Sequence, residues 1–254
     1  MKNKSDFEKF KNLSYEDFKN LASDKSLSIY QKIGFPNEYR KGKEEYIYQD
    51  IIQKLGFDIN PSGKCILDIG PGCSELPLLI MQYCEMNECD ILLVDSAEML
   101  EQLPKLNNAQ KFEGYFPNDV PVLINNYQKK IDYIVAYSIF HYIFYNTCIF
   151  KFIDAALSLL KPGGKLLIGD IPNISKRKRF FSTEAGIKFH QEFTNSKSMP
   201  ELPDLQNDYA HIDDGVIMGI MQRYRGFGFD TYLLPQNSKL PMNNRREDLL
   251  ICKI

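Results

Sequence analysis

Residues 65–75 read Cys65-Ile66-Leu67-Asp68-Ile69-Gly70-Pro71-Gly72-Cys73-Ser74-Glu75: an apolar run of strand length that ends in an acid, a turn with two glycines, then the start of a helix. Glycine at 70 and 72 removes Cβ atoms where the chain must turn sharply and let a ligand approach the backbone. The helix behind the turn aims free N–H groups and a positive dipole end at the same place, so a ligand carboxylate could sit there. A dinucleotide fingerprint of the form G-x-G-x-x-G would need glycine at 75, but Glu75 stands there and would repel a pyrophosphate. Asp68 makes better sense opposite the ammonium of an amino-acid moiety, since opposite charges at close range stabilise each other.

Strand and helix patterns alternate downstream from Lys64, which is the signature of parallel strands joined by crossover helices and predicts an α/β fold. "CDILLVDS" (89–96) is a second strand, "AQKFEGY" (109–115) a third and "KIDYIVAYS" (130–138) a fourth. "FKFIDAALSLL" (150–160), with Ile149 before it, places Ile149, Ile153, Ala156, Leu157 and Leu160 on one helical face, and "KPGG" (161–164) stops that helix before the strand "KLLIGDI" (165–171). The pattern dissolves between Pro172 and about Asp213, too long for an ordinary connection, so 172–212 is a candidate lid or substrate insertion where mobility is expected. Helical spacing returns through Val216, Ile217, Ile220, Met221 and Tyr224, and two last strands, "FDTYLLPQ" and "REDLLICKI", follow.

Upstream, Phe7 and Phe10 and then "SYEDFKNLAS" form short amphipathic stretches, with Ser14 and Asp17 spaced as a capping box. Residues 1–45 therefore read as a helical cap and 46–254 as the main domain. "KEEYIYQDIIQKLG" (43–56) carries Ile47, Ile51 and Leu55 at one-turn intervals and stops at Gly56.

A length of 254 residues suits one well-buried domain with an appendage, and 44% hydrophobic with 25% charged residues is ordinary globular usage. The formal net charge of -2 supplies no global basic field, which makes a small molecule a more natural partner than nucleic acid. No apolar run is long enough to cross a membrane and no apolar signal core opens the chain, so a cytoplasmic location is expected. Cys65, Cys73, Cys84, Cys89, Cys148 and Cys252 form no C-x-x-C pair and read as reduced thiols, with no metal site.

"LDIGPGCSE" (67–75) resembles motif I of the class I S-adenosylmethionine-dependent methyltransferases, with Ser74 in place of the usual third glycine. "LLKPGGKLLIGDI" and "FGFDTYLLP…REDLLICKI" are similar to that family's passage into the fifth strand and its antiparallel terminal hairpin, so the resemblance runs from about Gly34 to the C-terminus. It implies a Rossmann-like seven-stranded mixed sheet of order 3-2-1-4-5-7-6 and S-adenosyl-L-methionine as cofactor. It further implies that Asp68, Gly70, Pro71 and Gly72 lie against the cofactor, that Asp95 with Ser96 serves the ribose, and that Tyr115 or Phe116 offers adenine a stacking face. Arg40 resembles an arginine that some members use for the cofactor's carboxylate. Ser138 and His141, after the fourth strand, would line the cleft near the reacting methyl group. His141, one of three histidines, would take a proton from an acceptor hydroxyl near neutral pH if its pKa were unperturbed.

The run Lys176, Arg177, Lys178, Arg179 opens the insertion, and Arg245 and Arg246 flank the final strand. Lys176, Arg177 and Arg245 could clamp an anionic acceptor, whereas a solvated charge run is the bland reading. His190 and His211 show no metal-like spacing and receive no role. The expected activity is methylation, on oxygen, of a small polar or anionic acceptor: a phosphorylated metabolite, a sugar nucleotide or a phosphoramidate-like surface-glycan precursor. An RNA or protein methyltransferase and a non-catalytic cofactor-binding module are the alternatives. Against the first stand the net charge and "YSIF" (137–140), where an N-P-P-Y-type motif would stand.

Overall fold

The computed structural model describes Phe10 and residues 13–57, 61–202 and 211–254. Phe7, expected in the first amphipathic stretch, lies outside them. Along the chain come helices α1 (Tyr15–Ser23), α2 (Ile29–Lys32), α3 (Asn37–Arg40) and α4 (Glu44–Leu55), then β1 (Cys65–Ile69), α5 (Glu75–Met86), β2 (Asp90–Asp95), α6 (Ala97–Leu100), β3 (Ala109–Glu113) and α7 (Pro121–Asn126). β4 (Ile131–Tyr137), α8 (Phe140–Asn146), α9 (Ile149–Leu159), β5 (Leu160–Pro172), α10 (Ile174–Phe181), α11 (Glu184–Thr194), α12 (Asp214–Gly226), β6 (Phe229–Pro235) and β7 (Arg246–Lys253) complete it. The strands form one sheet in the order β3-β2-β1-β4-β5-β7-β6. The five strands β1 to β5 are parallel, and β7 runs antiparallel between β5 and β6.

Because strand side chains alternate between faces, each central strand feeds two cores. Leu67 and Ile69 join Leu92, Val94, Ile134 and Ala136 against α9 and α12, where Ile153, Ala156, Ile217 and Tyr224 are buried. Ile66 joins Ile91, Leu93, Val135 and Leu167 against α4 and α5, where Ile47, Ile51, Leu55 and Ile80 are buried. Burial on both faces is why these strands read as continuous apolar runs. Gly56 closes α4 in the left-handed conformation, φ 70°, as a glycine stop should. Ser14 and Asp17 form the expected reciprocal capping box on α1.

Two expectations change. Leu160 leaves the α9 face and already pairs with Ile131, and pairing resumes at Lys165 with Tyr133, so Lys161-Pro162-Gly163-Gly164 bulges out of β5 rather than preceding it. Segment 172–212, expected to be irregular, holds α10 and α11. Their rings pack on one another, with Phe180 and Phe181 5.7 and 6.4 Å from Phe189 between centroids. The ends of this segment are tied at its root: the Ile174 amide donates to the Ile212 carbonyl at 2.9 Å, and Asn173 Nδ2 donates to Asp214 at 2.7 Å and Glu247 at 2.6 Å.

Candidate functional site

The C-terminal tips of β1, β2 and β4 open into a cleft of about 390 Å³, roofed by residues 13–18, 33, 35 and 40 of the N-terminal helices. Gly70, Pro71, Gly72, Asp95, Tyr115, Phe116, Ser138 and Arg40 all line it. The glycines hold positive φ, 72° at Gly70 and 67° at Gly72, and a Cβ would come within 2.7 Å of Ile139 or 2.6 Å of Ile33. Both neighbours are wall residues, so a larger residue would strain the turn and narrow the cleft together. Gly70→Ala is expected to cost about 1–2 kcal/mol of stability, read by urea denaturation, with a matching loss of cleft ligand affinity.

Asp95 accepts hydrogen bonds from the Gly72 amide at 2.9 Å and the Ser96 amide at 2.7 Å. Burial raises its carboxyl to about 6, and these two amides hold it from rising further. Tyr115 stands edge-on to Tyr15 at 5.3 Å, and its hydroxyl is buried without a partner among the described residues. Phe116 is packed edge-on against Phe152.

Arg40 is 4% exposed. Its Nη2 donates to Ser138 Oγ at 2.7 Å, Nη1 lies 3.6 Å from Glu44 without a hydrogen bond, and the guanidinium sits 4.5 Å over the Phe35 ring. Ser138 Oγ in turn donates to Asp170 at 2.7 Å. Ser138 and Asp170, at the tips of neighbouring strands, both hold left-handed backbone, φ 62° and 58°, a conformation that surrounding contacts must enforce in residues other than glycine. Asp170 was not anticipated; the only trace of it in the sequence is an acid ending a strand.

Three features expected at the cofactor sit off the cleft wall or are already engaged. Asp68 does not line the cleft: strand alternation puts it on the Ile66 side, under α5, buried at 3% exposure. Burial and the charge of Asp95 raise its carboxyl to about 8. Ser96 is the N-cap of α6, its Oγ accepting from the Met99 amide, and it too is absent from the wall. The α5 N-terminus is not left open for a ligand carboxylate, because Glu44 Oε2 takes the Leu76 amide at 2.9 Å and the Ser74 hydroxyl at 3.2 Å.

A second cleft of about 1580 Å³ adjoins the first and shares Leu13, Ser14, Tyr142 and Asn146 with it. α8, α10, α11 and the β6–β7 link build it, and Arg177, Arg245, Arg246 and His141 line it. So do His190 and His211, which spacing had left without a role. Lys176 is elsewhere: it donates to the Arg246 carbonyl at 2.8 Å and lies 3.8 Å from Glu247, so it fastens α10 to β7 rather than clamping a ligand. Arg179 pairs with Asp214 on α12, and Lys178 is exposed off the cleft. His141 is half-buried, its Nδ1 without a hydrogen bond among the described residues, and burial with help from Arg246 lowers its pKa to about 3. That removes the reason for expecting a base poised near neutrality: the ring is a neutral imidazole, and a weak base.

A parallel sheet with an antiparallel last strand, and a strand-tip crevice holding a glycine turn and an acid on the next strand, define a Rossmann-like protein of the class I methyltransferase type. The chain belongs to the methyltransferase domain family, whose model, described as "Methyltransferase domain", matches residues 38–212. Solved structures of similar fold include a SAM dependent methyltransferase from Aquifex aeolicus, 13% identical with a TM-score of 0.55 over 96% of this chain and 100% of that one. The plantazolicin methyltransferase BamL, solved with a triazolic desmethylPZN analog and SAH, is 14% identical with a TM-score of 0.58 over 98% of both chains. The CurJ carbon methyltransferase is 14% identical with a TM-score of 0.58 over 98% of this chain and 65% of that one. No curated protein sequence matches significantly. Among the described residues no helix is long and apolar enough to cross a membrane.

Proposed function

We propose that the protein is an S-adenosylmethionine-dependent methyltransferase of the cytoplasm that methylates a small polar or anionic acceptor on oxygen. The observation that carries this reading is the pair of clefts meeting across Leu13, Ser14, Tyr142 and Asn146, one of cofactor size and one lined with arginines. In the first, Asp95 offers two carboxylate oxygens suited to the ribose hydroxyls, and Arg40 Nη1, ion-paired with Glu44 but making no hydrogen bond, suits the amino-acid carboxylate. Tyr115 and Phe116 supply apolar faces for adenine. Bound there, the sulfonium would supply a methyl carbon already electrophilic.

What remains for the chain is placement of the acceptor and exclusion of water, and these can supply most of the rate of an in-line displacement. Within the proposed 1–45 cap, residues from Leu13 onward roof the cofactor cleft, and within the proposed 172–212 insertion the described residues wall the acceptor. The test is calorimetry with S-adenosylhomocysteine, followed by labelled methyl transfer to phosphorylated metabolites, sugar nucleotides and phosphoramidate-bearing glycan precursors. Asp95→Ala is expected to weaken S-adenosylhomocysteine about tenfold, as loss of hydrogen bonds to a charged group does. Unchanged affinity in that variant would count against the ribose role, and binding without turnover on any acceptor would favour a non-catalytic module.

A further inference from the structure

The second cleft carries two guanidinium groups that form no ion pair among the described residues. Arg245 is half-buried, donating to Asn244 Oδ1 at 3.2 Å and bonded also to the Tyr39 hydroxyl. Arg177 approaches from α10 with no ion pair. Arg246, the third arginine here, is accounted for by Asp170, 3.8 Å away, and by its bond to the Asp170 carbonyl at 3.0 Å. Arg177 and Arg245 lie over the same ring, their Cζ atoms 6.0 and 5.7 Å from the Phe181 centroid. Two like charges brought to the edge of one buried ring repel each other, and an anion between them relieves that repulsion. Beyond Phe181 the wall continues as a shelf of rings: Phe189 lies 6.4 Å from Phe181 and is stacked on Phe193 at 6.2 Å with planes 8° apart. The opposite end of the cleft is the wall shared with the cofactor side, where Tyr142 packs against His141 at 3.9 Å.

We infer that the acceptor is a hydroxylated aromatic acid, its anionic group held between Arg177 and Arg245, its ring on the Phe181–Phe189 shelf and its hydroxyl directed at the Tyr142–His141 end. This deepens the proposed function and rests on it. An oxyanion accepts from two guanidiniums at once, and a flat ring matches a stacked aromatic wall. A ring hydroxyl is also far more acidic than an alkyl one, so it suits a site whose nearest imidazole is a weak base. The acceptor oxygen bonds to the methyl carbon as the sulfonium C–S bond breaks with its electron pair staying on sulfur, and the hydroxyl proton goes to water.

The test titrates the S-adenosylhomocysteine complex with para-hydroxyphenyl phosphate, para-hydroxybenzoate, the neutral para-hydroxybenzamide and glycerol phosphate, then assays each for labelled methyl transfer. Binding of the aromatic anions at least tenfold tighter than both the amide and glycerol phosphate, with the methyl found as a ring ether, is the expected result. Arg177→Gln, a change at an exposed side chain, and Arg245→Gln should each erase most of that preference while leaving amide binding unchanged, and Arg245→Lys should keep part of it. Equal binding of the amide, equal binding of glycerol phosphate, or a methyl ester on the anionic group would each overturn the inference. Failure of S-adenosylhomocysteine itself to bind would instead overturn the proposed function, so the two failures are distinguishable.

Discussion

Arg40→Met is expected to weaken S-adenosylhomocysteine binding about a hundredfold, the loss that follows when a charged group forfeits its charge-assisted hydrogen bonds. The variant should also lose about 3–5 kcal/mol of stability, because a buried ion pair broken on one side leaves an uncompensated charge. That charge is Glu44, 1% exposed and 3.6 Å from Arg40, whose carboxyl burial already raises and Arg40 lowers. The double variant Arg40→Met/Glu44→Gln separates the two effects, since glutamine can still accept from the Leu76 amide without a charge. Thermal denaturation should recover most of the stability while calorimetry still shows the weakened affinity. Wild-type affinity in the double variant would make Arg40 purely structural.

Asp68→Asn should raise stability by several degrees in Tm at pH 8 and leave it unchanged at pH 4. The sign follows from the proton count. In the ligand-free fold the Asp68 carboxyl is pushed up to about 8 from its ordinary 3.8, so across that window the native state holds a proton that the unfolded chain has released. Its contribution to stability therefore falls as pH rises from about 4 through about 8 and is level above. Asparagine has nearly the same shape and nothing to ionise, so it escapes the fall. Melting curves of both proteins between pH 4 and 8.5 read the difference directly. Because Asp68 lies under α5 and off the cleft wall, S-adenosylhomocysteine affinity should change less than about threefold, below a typical hydrogen bond to a charged group. A large loss of affinity in this variant, accompanied by changed proton release on binding, would restore Asp68 as the ammonium partner.

The sheet was legible because its strands are buried on both faces and so stand out as apolar runs, and because Gly70 and Gly72 mark a turn where a Cβ cannot fit. Strand order came only with the family resemblance, since alternation sets direction but not neighbours. The bulge at 161–164 escaped because Pro-Gly-Gly stops a helix just as well whether a strand has already begun or not. The facing of Asp68 was not legible: an acid at a strand tip can face the crevice or the layer beneath it, and only the packing of Ile66 decides. Lys176 looked like part of a clamp because its partner Glu247 is remote in sequence, whereas Arg177, one residue on, does reach the cleft. α10 and α11 hid for another reason. Their aromatic residues meet each other, and charged residues separate them along the chain, so charge dominates the pattern.

The tie at the base of segment 172–212 has an evolutionary corollary. With the Ile174 amide clipped to the Ile212 carbonyl and Asn173 bridging Asp214 and Glu247, everything distal to that clasp can be exchanged without moving β5 or α12. Part of the proposed acceptor wall, Arg177 with Phe181 and Phe189, thereby sits in a detachable cassette, while Arg245 and the α8 residues stay with the main domain. Chimaeras joined at the clasp are the natural way to trade one acceptor range for another.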